Sequence, residues 1–205
     1  MNLQDHIDLV DWRRRVGDAY RLGSVEAWRA ERGRLFREHP QSPVPAAERA
    51  AFGGLRWFPP DPAYRVSARV EPADGAALEI DTGGEDGVIR YRRAGSLRFR
   101  LHGEECALTV LALVGYGSGL FVPFRDATSG ADTYGGGRYL ADTAKGTDAG
   151  CLEVTTGSLD VVVDFNYAYH PSCVYSPAWA CPLAPPENRL RIAVRAGELL
   201  PGATP

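Results

Sequence analysis

The sequence predicts a mainly β (α+β) protein, an antiparallel β-sandwich or barrel with two or three N-terminal helices packed on it. Three observations predict it. Apolar residues recur at three-to-four and seven-residue spacing through the first forty positions, the period of a helix with one buried face. From Tyr64 the period drops to two, as a half-buried strand requires. Short apolar runs then follow in series, separated by turn dipeptides, a spacing that favours antiparallel sheets.

Leu9, Trp12, Val16 and Tyr20 form the stripe of the first helix, and Val25, Trp28, Leu35 and Phe36 that of the second. Ser24 fits the N-cap of the second, since its hydroxyl can accept a backbone N–H there. Pro40 ends that helix after His39, because proline disfavours helical geometry in the preceding residue. Pro45 to Phe52 fits a short third helix closed by Gly53-Gly54. Beyond it, Tyr64, Val66, Ala68 and Val70 alternate with Arg65, Ser67 and Arg69. Further strands are expected near 77–82, 87–93, 96–102, 106–114, 119–124, 151–155, 159–165 and 190–195, with turns at Asp74-Gly75 and Ala94-Gly95. Pro59-Pro60-Asp61-Pro62 is punctuation near the junction. Residues 1–52 therefore read as a helical extension packed on the main domain, and 53–205 as the β-rich domain.

A chain of 205 residues fits one large domain, or one domain with a small extension. At 44% hydrophobic and 24% charged residues, its balance excludes a disordered or fibrous chain. No apolar run approaches the roughly 20 residues of a membrane helix. The start, Met1-Asn2-Leu3-Gln4-Asp5, lacks the basic and apolar segments of a secretory signal, so the cytoplasm is the expected compartment. A net charge of -3 supplies no basic field for nucleic acid or anionic lipid. Arg13-Arg14-Arg15 is surrounded by Asp8, Asp11 and Asp18 at helical spacing, the pattern of a solvated, salt-bridged face.

Gly115-Tyr116-Gly117-Ser118-Gly119 follows a strongly apolar run, as a phosphate-cradling loop would. Such a loop must open a helix whose N-terminus meets the phosphate. Leu120 to Phe124 instead reads as another strand, so a hairpin is the better account. The cysteines, Cys106, Cys151, Cys173 and Cys181, lack the paired spacing of a zinc module. A Cys173–Cys181 disulfide is sterically open, although a cytosolic setting keeps it reduced unless it is a redox switch. His170 stands close enough in sequence to activate Cys173 as a thiolate. Two buried thiols packing as small hydrophobes is the blander account.

The run Leu159 to Asn166 carries more, because its period of two puts Asp164 and Asn166 on one face at the strand's end. It leads into Tyr167-Ala168-Tyr169-His170-Pro171-Ser172-Cys173-Val174-Tyr175, then Trp179, Cys181 and Pro182, a segment too apolar to float in water. A packed loop bordering a cavity is expected; equally, Asp164 and Asn166 could satisfy that loop's own backbone. A second polar loop holds Phe124-Arg125-Asp126-Ala127-Thr128-Ser129-Gly130 and Asp132 to Tyr139, with three glycines ahead of Arg138. Arg138 either clamps a ligand's carboxylate or phosphate, or pairs with Asp126 or Asp164 and pins the loops together.

Together these segments resemble the bacterial family catalogued as domain of unknown function number 1684, over roughly residues 52 to 198. The resemblance is carried by Phe124, Asp126, Thr128, Gly130, Thr133-Tyr134, Gly137-Arg138-Tyr139, Asp164-Phe165-Asn166, Ala168-Tyr169, Pro171, Cys173 and Tyr175. Cys181-Pro182-Leu183, Pro185-Pro186, Glu187-Asn188, Leu190 and Ala196-Gly197-Glu198 complete it. His170 stands where such sequences carry asparagine, and Leu199 where a lysine ends the Ala-Gly-Glu motif. The resemblance implies a fold and a place for a site, and the family name supplies no reaction.

For function, the residues point to a cofactor-independent small-molecule enzyme using acid/base chemistry in a pocket between the 124–139 and 164–188 loops. Asp164 or His170 would move the proton, with Cys173 as the candidate nucleophile. Arg138 and Asn166 would hold an anionic group, and Asp126, Tyr134, Tyr169 and Trp179 would complete the pocket. A non-catalytic small-ligand-binding module is the alternative use of the same cavity. No metal or other cofactor is expected. The expected partner is a small-molecule ligand, with no nucleic acid and no membrane, and with a homodimer left open.

Overall fold

The computed structural model describes residues 2–84, 87–143, 152–153, 157–158 and 160–204. Helix α1 (Leu3–Ala19) opens with a capping box: the Asn2 side chain accepts the Asp5 N–H at 2.9 Å, and the Asp5 carboxylate accepts the Asn2 N–H at 2.7 Å. Helix α2 (Val25–Glu38) is capped as expected by Ser24, whose Oγ accepts the Ala27 N–H at 3.1 Å, and His39 turns extended ahead of Pro40. The expected third helix is only a turn of 3-10 helix at Arg49–Ala51. On the solvent side Arg15 pairs with Asp11 and Arg21 with Asp18, which accounts for the interleaved charges. Neither helix is long and apolar enough to cross a membrane, and among the described residues no other is.

The strands are β1 (Arg56–Trp57), β2 (Arg65–Pro72), β3 (Ala77–Asp81), β4 (Val88–Leu101), β5 (Glu104–Leu113), β6 (Leu120–Phe124), β7 (Arg138–Asp142), β8 (Leu152–Glu153), β9 (Asp160–Asp164) and β10 (Glu198–Leu199). Every pairing is antiparallel. The main sheet runs β7-β6-β5-β4-β2-β9-β8, with β3 on the first half of β4, while β1 pairs with β10. This sheet curls into a half-barrel. Its ends approach because the Tyr139 backbone in β7 exchanges hydrogen bonds of 2.9 and 3.1 Å with Tyr169, just beyond β9.

Several elements differ from the sequence expectation, the short strands β1 and β10 among them. The two strands expected on either side of Ala94-Gly95 are one strand, β4, whose register shifts between Arg93 and Gly95. A β-bulge bends a strand without ending it, so β4 can pair first with β3 and then with β2. Strand β7 was not expected, and all five of its residues are buried, which removes the alternation that marks a strand. Residues 190–195 are not a regular strand but run beside a loop, with Leu190 N–H donating to Arg125 O and Ala127 N–H to Ile192 O. The strand expected at 151–155 survives as Leu152–Glu153; Cys151 and residues 154–156 lie outside the described residues.

Aromatic packing seats α2 on β1 and on the segment that follows β9. Trp28 meets Trp57 and Tyr167 at ring distances of 5.2 and 5.1 Å, and Phe36 meets Tyr175 at 5.0 Å. Arg29 donates to the carbonyls of Phe58 at 2.8 Å and Asn166 at 3.0 Å, fixing α2 over the segment that follows β9.

Candidate functional site

Strand β9 ends at Asp164, and Phe165–Tyr167 is a 3-10 turn, not more strand. Asp164 and Asn166 still meet, but through that turn. Asp164 Oδ1 accepts the Asn166 N–H at 2.9 Å and its side-chain amide at 2.8 Å. Asn166 in turn takes both polar groups of the Asp61 backbone, accepting its N–H at 3.0 Å and donating to its carbonyl at 2.9 Å. The pair ties the proline-rich junction to the end of the sheet. Asp164 Oδ2 lies 4.0 Å from Arg65 Nε.

Asp126 and Arg138 form a buried ion pair at 2.9 Å, with both side chains fully enclosed. Arg138 also donates to the carbonyls of Val194 and Ala196. Asp126 Oδ1 accepts from the Thr128 N–H at 2.7 Å, the Thr128 hydroxyl at 2.6 Å and the Val194 N–H at 3.2 Å. This is the pinning role for Arg138, with Asp126 as partner. Gly137 makes it reachable: at φ +101°, a Cβ there would stand 2.5 Å from the Phe124 carbonyl. The 124–139 and 182–190 segments are likewise laced together, by Ala184 N–H to Gly136 O, the Tyr139 hydroxyl to Pro182 O, and Arg125 N–H to Asn188 O.

The cavity that reaches His170 lies on the other side, under the helices. It measures about 50 Å³ and is walled by Trp12, Val16 and Phe36 from above and by Tyr139, Asp142, Tyr169, His170 and Ser172 from below, with Arg32 at its edge. An adjoining space of about 10 Å³ between α1 and α2 shares Trp12, Val16, Arg32 and Phe36. A centre for one water takes roughly 10–15 Å³, so the larger cavity has room for a few water-sized groups.

Behind its wall sits a buried polar cluster. Glu198, on β10 and fully enclosed, accepts from Arg32 at 3.3 Å, from the His170 N–H at 3.0 Å and from the Tyr175 hydroxyl. Gly197 lets β10 come so close: its φ is +80°, and a Cβ would stand 2.5 Å from the Ala168 carbonyl. Arg32 lies over the Phe36 and Tyr169 rings, 4.6 Å from each centroid, which fixes its plane. Burial pushes the Glu198 carboxyl above its ordinary 4.5, against the pull of Arg32. For His170, burial first and the Arg138 and Arg32 charges second hold the imidazole well below 6.5. His170 Nε2 accepts the Tyr134 N–H at 3.2 Å, so the neutral ring carries its proton on Nδ1. Among the described residues that Nδ1 has no hydrogen-bond partner, and it lies 4.0 Å from Glu198 Oε1.

Beyond Tyr134 are two thiols. Cys173 Sγ is 4.0 Å from the Tyr134 hydroxyl, and Cys181 is the buried cysteine of the same loop. The influence of the Cys181 thiol first, and burial second, hold the Cys173 thiol above its ordinary range. At neutral pH it is therefore a thiol, not a ready nucleophile. Trp179 is at the surface, 38% exposed, and does not line the cavity under the helices. Among the described residues no group of three or more His, Cys, Asp or Glu is placed to hold a metal.

Of the nine residues expected at the site, the structure brings together His170, Tyr169, Tyr134 and Cys173. Asp126 and Arg138 form one separate cluster, and Asp164 and Asn166 another. Sequence reasoning missed Arg32 and the roles of Glu198 and Tyr175. Arg32 had a signal: it falls four residues from Trp28 and from Phe36, in the apolar stripe of α2. Glu198 had one too, as a lone carboxylate beside Val194, Ala196, Leu199 and Leu200.

A family model described as "Protein of unknown function (DUF1684)" matches residues 50–199. The chain belongs to the DUF1684 family. The DUF1684 match takes in every member of the His170 cluster except Arg32, which comes from α2 outside it. The chain is also similar to the uncharacterized protein from gene locus rrnAC0354 of Haloarcula marismortui, known from a solution NMR structure. Identity is 39%, the TM-score is 0.61, and the match covers 85% of this chain and 91% of that one. A comparison with curated proteins finds no match.

Proposed function

We propose that this DUF1684 protein is a small-molecule enzyme whose acid/base pair is His170 and Glu198, acting at the cavity beneath the helices. The reading moves the proton chemistry from Asp164, whose Oδ1 is taken up by Asn166, to the buried cluster. One observation carries it: a neutral imidazole with an unpartnered Nδ1 lies 4.0 Å from a fully buried carboxylate. Burial lowers the proton affinity of the first and raises that of the second. The two affinities are driven toward each other, which favours passing a proton between the two groups. Arg32, held by two aromatic faces, would orient a carbonyl or carboxylate oxygen of the ligand. The expected compartment remains the cytoplasm, and the expected partner a small molecule.

A second reading, a ligand-binding module without turnover, draws on a different observation. Both Glu198 oxygens already accept hydrogen bonds, from Arg32, the His170 backbone and Tyr175, so the carboxylate is also a good structural anchor. Ligand-observed NMR with a panel of small carboxylic acids, amides and carbonyl compounds separates the two. Turnover of a bound compound, reduced by roughly 10²–10⁴ in folded Glu198→Gln and His170→Asn variants, is the outcome expected of an acid/base pair. A compound that saturates the site and stays unconverted favours the binding module, and absence of any binding removes both.

A further inference from the structure

Taking the cavity beneath the helices as the ligand site, as the proposed function does, we propose that it admits the uncharged carbonyl end of a small amide and turns away the matching carboxylate. Arg32 is the residue that selects. Its Nη2 is committed, to Glu198 at 3.3 Å and to the His170 carbonyl at 3.5 Å. Among the described residues neither Nε nor Nη1 donates to anything, and of the two only Nε is shut away from open space. Nη1 is therefore the donor that Arg32 presents where it lines the cavity. The guanidinium is not free to turn aside, because the Phe36 and Tyr169 rings each hold it at 4.6 Å and Trp28 lies at 5.8 Å. A donor in so enclosed a place gains from an acceptor oxygen brought to it.

Charge decides which oxygen that is. Glu198 accepts from Arg32, the His170 N–H and the Tyr175 hydroxyl, the surroundings of a carboxylate and not of a carboxylic acid. It therefore neutralises Arg32. His170 adds no charge, since its Nε2 accepts the Tyr134 N–H and leaves one proton for the ring. The cluster is neutral as a whole, and a ligand carboxylate would enter beside Glu198 without a cation of its own. Asp142 puts another carboxylate residue on the wall. A carbonyl oxygen takes the same Nη1 hydrogen bond and needs no counter-charge. Room is limited as well: about 50 Å³ of cavity, at roughly 10–15 Å³ for each water-sized group, admits about four non-hydrogen atoms. The adjoining 10 Å³ between α1 and α2 admits about one more, among Ala19, Trp28 and Leu35, so the tail that reaches it is apolar. Acetamide and propionamide are of this size.

The test titrates the full chain at neutral pH with matched pairs, acetamide against acetate and propionamide against propionate, read by saturation-transfer NMR and calorimetry. The expected result is saturable binding of the amides, with nuclear Overhauser contacts to the Trp12 and Tyr169 rings, and an affinity for each carboxylate lower by about tenfold or more. Folded Arg32→Met should weaken amide binding by about tenfold. Should that variant fail to fold, the arginine side-chain spectrum of the isotope-labelled parent serves instead: the guanidinium in contact with the Phe36 ring should shift as amide is added. Carboxylates that bind as tightly as the amides overturn the ligand class and leave the cavity as a site. Amide binding indifferent to Arg32, in the variant or in that spectrum, overturns the proposal too. Amide binding that depends on Arg32 but gives no turnover upholds it and removes the enzyme reading. If no member of either series binds, both fall.

Discussion

Among the described residues, two buried arginine–carboxylate pairs differ in what surrounds them. Arg138 and Asp126 are sealed at 2.9 Å, and their further contacts go to Val194, Ala196 and Thr128 of the same packed region. Arg32 and Glu198 meet at a looser 3.3 Å, beside a cavity and an imidazole nitrogen without a partner. The first pair closes the connection between the paired strands β6 and β7, and Arg138 ties it to the carbonyls of Val194 and Ala196. The second is assembled from a helix and from β10, which pairs with β1. Identical charge chemistry thus makes a latch where every group faces protein, and a candidate site where part of the cluster faces space.

The largest expected effect tests that contrast. Asp126→Ala leaves Arg138 buried without its carboxylate and should cost about 3–5 kcal/mol in urea unfolding. Arg32→Met should cost less, about 1–2 kcal/mol, because Glu198 keeps the His170 N–H and the Tyr175 hydroxyl. Equal losses would dissolve the distinction. Next, Asp164→Ala removes an N-cap acceptor and the Asn166 side-chain bond, and a loss of about 1–2 kcal/mol is expected. A neutral effect on stability, with loss of ligand turnover, would return Asp164 to the site.

Proton linkage sharpens the comparison further. A histidine held below its ordinary 6.5 binds fewer protons folded than unfolded, so its contribution is lost as pH falls below that value. The slope cannot exceed about 1.4 kcal/mol per pH unit for one group. Glu198 acts with the opposite sign: its raised affinity stabilises the fold at low pH, and that contribution fades as pH climbs above 4.5. Subtracting the pH profile of His170→Asn from that of the parent should leave a difference that grows below pH 6.5. A flat difference would mean that His170 is not shifted as its burial demands. Smallest is Ser24→Ala, expected at about 1 kcal/mol through loss of the α2 N-cap. Hydrogen exchange should then quicken in α2 around Arg32 while β7 and its Arg138 stay protected.

The helices were legible because each shows one apolar face to the protein and the other to water, and Ser24 and Pro40 mark the ends of the second. Strand β2 was legible for the same reason at a period of two, and β5 and β6 as short apolar runs bounded by turn residues. Strand β7 was not, since Arg138 to Asp142 is buried throughout and a fully buried strand has no alternation to read. Nor was the bulge in β4, where Ala94-Gly95 has the composition of a turn but neighbours on both sides hold the strand together. Among site residues, His170, Tyr169 and Cys173 were found because their loop is too aromatic to lie in water. For Arg138 the sequence left two readings open, a ligand clamp or a pair with Asp126 or Asp164, and the structure shows the pair with Asp126.

What the sequence determined by itself is whatever depends on neighbours along the chain: the helical and β halves, the caps, the family motifs and the cysteine spacing. What only the tertiary structure decided is which charges find each other. Arg32 reaches Glu198 across 166 positions, Asp126 takes Arg138, and Asp164 caps its own turn. The reason is physical. A buried charge settles on the partner that removes most of its desolvation cost, and that partner is fixed by the packing of distant elements, which no local pattern of residues encodes.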